Sequence, residues 1–94
     1  MKIKKNIFIK EKIEKIIEEY NKYRVPEAEA RLISFDKKYL KVEFKGNFCY
    51  SCGFYDYFDD LKILLEEEGL KTKIINIKEI NGGAVVTFKS LSYF

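Results

Sequence analysis

The chain has 94 residues, 47% hydrophobic, 16% aromatic and 35% charged, with a net charge of +3. That size suits a single domain over 1–94, near the lower end of comfortable self-folding length, and the apolar content excludes a disordered tail or linker. There is no histidine, which excludes a Ser-His-Asp or Cys-His pair within the chain, an imidazole metal ligand, and a side chain that titrates near neutrality by default.

The charge is unevenly spread. Residues 1–24 carry eight Lys/Arg against four Glu, whereas residues 55–69 carry six Asp/Glu against Lys62. One acidic helix therefore lies between basic flanks, a pattern whose plainest use is mutual docking and solubility. The net charge is too small to argue for nucleic acid by itself. No apolar run approaches the ~18 residues of a membrane span, and the N-terminus lacks the apolar core of a secretory signal. These features read as a cytoplasmic protein with no membrane partner. Abundant Lys, Glu and Ile, with no Gln, His or Trp, fit a thermophile and fit an AT-rich genome equally well.

Residues 1–8 are ambiguous: Ile3, Ile7 and Ile9 alternate with lysines, as in a short edge strand or a loose tail, and Asn6 is a possible N-cap if the helix starts early. Residues 9–23 predict a helix: Ile9, Ile13, Ile16, Ile17 and Tyr20 form one apolar stripe. Pro26 forces Val25 out of helical geometry and ends it. Residues 27–35 predict a strand with poor phasing: Ala28, Ala30 and Leu32 share one face and Ile33 and Phe35 the other, so either both faces are partly covered or a bulge shifts the phase near Leu32. Asp36-Lys37-Lys38 is a turn. Residues 39–45 alternate cleanly, with Leu40, Val42 and Phe44 inward and Lys41, Glu43 and Lys45 outward, so the two runs form a hairpin. A second helix is expected over about 56–68, with Phe58, Leu61, Leu64 and Leu65 inward, Asp56 as N-cap and Gly69 as its stop. Residues 71–80 and 83–91 are strands joined at Asn81-Gly82, a strong hairpin signal. In the first of these, Ile75 and Ile77 are expected on one face and Ile74 and Ile80 on the other. Leu91, Tyr93 and Phe94 form an apolar end that either completes the core or makes a dimer patch.

The predicted fold is α+β: an antiparallel four-stranded sheet with two helices on one face, in the order αββαββ. A strand over 2–8 would make it a ferredoxin-like variant.

The constellation with chemistry is Cys49-Tyr50-Ser51-Cys52, within a Cys/aromatic stretch over 46–58 between a strand and a helix. Two cysteines at this spacing reach one metal or close a disulfide, yet fill only half a tetrahedral site. Thiol redox chemistry, a metal or iron–sulfur site shared across a homodimer, and two small apolar side chains in a core all stay open. Phe48, Tyr50, Phe54, Tyr55 and Tyr57 are candidate partner-binding residues, with core packing as their commoner fate.

The segment from Tyr39 to Ile80 resembles the C-terminal domain of NifU-type iron–sulfur scaffold proteins. The matching residues are Val42, Phe44 and Gly46, then Cys49 and Cys52, then Leu61, Leu64 and Leu65, then Ile74 and Ile77. It departs from that pattern in three places: two residues, Asn47 and Phe48, separate Gly46 from Cys49; Val25-Pro26-Glu27-Ala28 stands where the family has an Asp-Gly-Gly-Asp stretch; and Gly53-Phe54-Tyr55-Asp56-Tyr57 replaces small polar residues after Cys52. The resemblance implies that Cys49 and Cys52 of two subunits bridge an iron–sulfur cluster; the cysteine spacing by itself leaves a zinc site shared across the dimer equally open. The function implied is cluster assembly or delivery, not catalysis. A different reading rests on the strands: Lys41, Lys45, Lys71, Lys73, Lys78 and Lys89, with aromatics nearby, suit a nucleic-acid-binding module. The acidic helix stands against it, since it would repel a phosphate backbone.

Overall fold

The computed structural model describes residues 2–24, 28–36, 38–46 and 55–92. They form α1 (Lys2–Arg24), β1 (Ala28–Asp36), β2 (Tyr39–Gly46), α2 (Tyr55–Glu67), β3 (Lys71–Ile80) and β4 (Gly83–Ser92). The fold is α+β, in the expected order αββαββ. No strand forms over 2–8, where α1 already runs, so the ferredoxin-like variant does not arise. The local alternation of Ile and Lys lost to helix propagation. Lysine and glutamate are good helix formers, and the stripe from Ile9 onward nucleates a helix that extends backwards at little cost. Lys22 and Arg24 in its last turn suit the negative end of the helix dipole. The expected stop at Val25-Pro26 lies outside the described residues.

All strand pairs are antiparallel, in the order β1-β2-β4-β3. At the centre Leu40 pairs with Phe88, Val42 with Val86 and Phe44 with Ala84. Exchanging the two αββ halves maps Leu40 onto Ala84, Val42 onto Val86 and Phe44 onto Phe88, so the sheet is twofold in plan although the sequence carries no repeat. These six residues are almost fully buried and face one core with Ile9, Ile13, Ile16, Ile17 and Tyr20 of α1 and Phe58, Leu61 and Leu65 of α2. Phe44 sits at its middle, with ring centroids 5.9 Å from Tyr20 and 4.8 Å from Phe58. Both helices therefore lie on the inward face of the sheet.

Both edge strands are bulged. In β1 the register shifts between Leu32 and Ser34, which puts Ile33 at the bulge and restores Phe35 to the core side; of the two readings of this strand, the bulge is the one that holds. In β3 it shifts between Ile74 and Asn76. This corrects the expected alternation: Ile74 and Ile77 both pack against the core, Ile75 is exposed at the bulge, and Ile80 pairs with Gly83 on the outward side. Helix α2 ends in a Schellman motif. The Leu70 N–H donates to the Leu65 carbonyl (2.8 Å) and the Gly69 N–H to the Glu66 carbonyl (3.0 Å), with Gly69 at φ 98°. Leu70 is fully buried, so the cap also seats an apolar side chain. At the second hairpin, Gly82 takes φ 82° as the Asn-Gly turn requires. A Cβ on Gly83 would overlap the Phe44 backbone carbonyl, which explains a glycine inside a central strand.

Candidate functional site

Side chains alternate across a strand, so burying Leu40, Val42, Phe44, Ala84, Val86 and Phe88 sends their neighbours to the other face. No described helix covers that face. The register aligns its residues in rows. Tyr39 of β2 pairs with Lys89 of β4, which pairs with Lys73 of β3; Asp36 ends this row on β1. The next row runs Ser34, Lys41, Thr87, Asn76, and a third runs Arg31, Glu43, Val85, Lys78. The last holds Glu29, Lys45, Gly83 and Ile80. Six basic residues thus share the open face with three acidic ones. One acid is already used: Arg31 and Glu43, directly opposite on β1 and β2, form an ion pair at 3.1 Å.

Lys41, Lys45, Lys73, Lys78 and Lys89 form no ion pair with another described residue. Lys73 and Lys89 stand directly opposite one another. Like charges at such a position are about 5 Å apart at Cβ and destabilise a sheet, so the fold tolerates a repulsion that one Lys→Glu change would relieve. Beside this pair Tyr39 is 47% exposed and Leu91 is 59% exposed. Leu91 therefore does not complete the core; Tyr93 and Phe94 lie outside the described residues. Thr87, at the centre of the same face, is 8% exposed.

The acidic helix is on the other side. Asp56, Asp59, Asp60, Glu66 and Glu67 belong to α2, whose Phe58, Leu61 and Leu65 enter the core from the inward face. The objection that this helix would repel a phosphate backbone loses its force, because the sheet separates its acids from the lysines. The sequence showed the two charge sets but not their separation, which is set by the long-range pairing of β2 with β4.

The outer edge of β1 is closed from within. The Asn21 side-chain amide of α1 donates to the Ala30 carbonyl (2.9 Å), and its oxygen accepts from the Ala30 N–H (2.7 Å). At Ala30 it occupies both backbone groups that an added strand would use there. With a bulge in each edge strand and lysines along β3, both edges carry the usual devices against edge-to-edge pairing. Nothing in the sequence around Asn21 announces this clip, because its partner Ala30 is nine residues further along the chain.

The helical side holds two shallow grooves, of about 390 Å³ beside Glu11, Lys15 and Glu68 and about 240 Å³ beside Tyr23, Arg24 and Ile63. An Arg24–Asp60 ion pair crosses the second. Neither collects a nucleophile beside a base. Among the described residues no three Cys, Asp or Glu are grouped to hold a metal ion, and no helix is long and apolar enough to cross a membrane.

Of the residues singled out in the 46–58 stretch, Cys49, Cys52, Phe48, Tyr50 and Phe54 lie outside the described residues. Tyr55 is exposed in the first turn of α2, edge-on to Phe58 at 6.0 Å. Tyr57 is half-buried against the core. Its carbonyl accepts a 2.9 Å hydrogen bond from the Tyr20 hydroxyl, and the Arg24 guanidinium lies 5.4 Å from its ring centroid. Burial pushes the Tyr20 phenol well above its ordinary value, against a smaller opposing pull from Arg24. These contacts make Tyr57 a tie between α1 and α2. Compared with protein-family models, with curated proteins and with solved structures, the chain has no match.

Proposed function

We propose that this protein is a nucleic-acid-binding module that holds a phosphate backbone across the open face of its sheet. The observation that carries the reading is the cross-strand pair Lys73–Lys89, set among lysines without internal ion pairs, on the face opposite the acidic helix. A polyanion supplies the counter-charge that the fold leaves out, and release of its condensed counterions drives association. The acids of α2 on the far side keep a strand off the helices and so direct it to the sheet.

The test is fluorescence anisotropy of a labelled oligonucleotide at two salt concentrations. Binding at low salt, weakening steeply as salt rises, is expected; about three phosphate contacts give a log–log slope near −2 for a single strand. Lys41→Glu and Lys89→Glu weaken binding, while Lys22→Glu on α1 changes it far less. A protein that binds no oligonucleotide at low salt does not have this function.

A further inference from the structure

Resting on the phosphate-binding reading above, we infer that Tyr39, Lys89 and Lys73 form a nucleotide subsite that makes the module selective for single strands, with an unpaired base stacked on Tyr39 and its phosphate held by the two lysines.

The three residues are consecutive in one row across β2, β4 and β3. Strands lie about 4.8 Å apart, so the row spans about 10 Å from Tyr39 to Lys73, within reach of one nucleotide once the side chains extend. Tyr39 is the aromatic residue that the described register puts on this face, at the first position of β2, and it is 47% exposed where the core aromatics are buried. An aromatic ring half in water, beside a like-charged pair that lacks a counter-ion, matches what a base and its phosphate need: a stacking surface and two cations.

Duplex fits this face poorly. Reading or gripping a groove takes a helix or a two-stranded ribbon that protrudes into it. Here both helices lie on the opposite side, and the face is a sheet of four strands bounded by bulged edges. A stacked, paired base offers Tyr39 no free ring, whereas a single strand does. The ring and the two ammonium groups make no use of a ribose 2′-hydroxyl, so RNA and DNA single strands of one sequence should bind alike.

The experiment compares four probes on the full chain at low salt: a single-stranded DNA 12-mer, its RNA counterpart, the matched DNA duplex, and inorganic polyphosphate, which has charge but no bases. Wild-type protein should prefer both single strands to the duplex. Tyr39→Ala should weaken single-strand binding by about tenfold and leave polyphosphate binding within about twofold, because the lysines that hold phosphate are untouched. Tyr39→Phe should restore single-strand binding. Tyr39 is exposed, so far-ultraviolet circular dichroism should be the same for all three proteins. If Tyr39→Ala binds single strands as wild type does, or if duplex is preferred, the subsite is wrong while the basic face stands. If no probe, polyphosphate included, binds wild-type protein, the broader reading fails with it.

Discussion

Changing Lys73 to Glu should raise stability and lower nucleic-acid affinity in the same molecule. Lys73 is exposed on edge strand β3 and faces Lys89 directly, so the substitution disturbs little packing. It replaces a repulsive cross-strand pair by an attractive one. Each such pair contributes roughly 0.2–1 kcal/mol, so the reversal should contribute about 0.5–1.5 kcal/mol. For a domain of this length that raises Tm by about 3–8 °C in thermal denaturation at low salt, with the gain shrinking as salt screens the pair. Lys73→Met should fall between, since it removes the repulsion without adding an attraction. In anisotropy with a single-stranded oligonucleotide, Lys73→Glu should bind more weakly, with its salt slope reduced by about 0.7 for the lost phosphate contact. A general folding defect lowers both quantities, and a neutral surface position moves neither. A fall in Tm, or an affinity unchanged at low salt, would refute the claim that this like-charge pair is kept for an anion.

Three further outcomes test the packing. Thr72 and Ser90 face each other across β3 and β4 toward the core, and neither hydroxyl has a hydrogen-bond partner among the described residues. Thr72→Val should therefore raise the urea midpoint, by about 1 kcal/mol of stability, because it removes a buried polar group that no described residue satisfies; a lower midpoint would contradict this. Asn21→Ala should cost about 2 kcal/mol, one for each bond to Ala30, and hydrogen exchange at the Ala30 amide should quicken well beyond its neighbours; uniform change along β1 would count against the clip. The Tyr20 phenol, raised in the folded state, ionises first in the unfolded chain near its ordinary value of 10.0. Stability should hold up to about pH 10 and decline above it, as the unfolded state gains a charge that the fold resists. Tyr20→Phe should lose about 1 kcal/mol at neutral pH with the Tyr57 bond, yet show a shallower alkaline decline; an unchanged decline would place its cause elsewhere.

Much of the fold was legible because local patterns agreed with long-range packing. The stripe from Ile9 to Tyr20, the alternation from Leu40 to Phe44 and the Asn81-Gly82 turn each specify a face without knowledge of the partner. The irregular phase near Leu32 was visible because one residue's slip inverts every side chain after it, though two covered faces would look the same in sequence. The slip at Ile75 was not, since four isoleucines in β3 give apolar choices for both faces. The start of α1 is ambiguous in the sequence, because Ile3, Ile7 and Ile9 spell a strand period inside a helix-forming composition. The site was harder still. Its lysines were visible, but Tyr39 was not: its role comes from standing one strand away from Lys89 and two from Lys73, a result of pairing β2 with β4 that no local window contains. The residues most suggestive of chemistry cluster instead around Cys49 and Cys52, a local grouping that any short window shows.

The most direct test is an amide chemical-shift map of isotope-labelled protein titrated with a single-stranded oligonucleotide. The basic sheet face predicts perturbations concentrated along Tyr39–Lys45, Val85–Leu91 and Lys73–Lys78, with α2 and the outer side of α1 nearly silent. A map centred on residues 47–54 or on the helices would show that the molecule meets its ligand elsewhere.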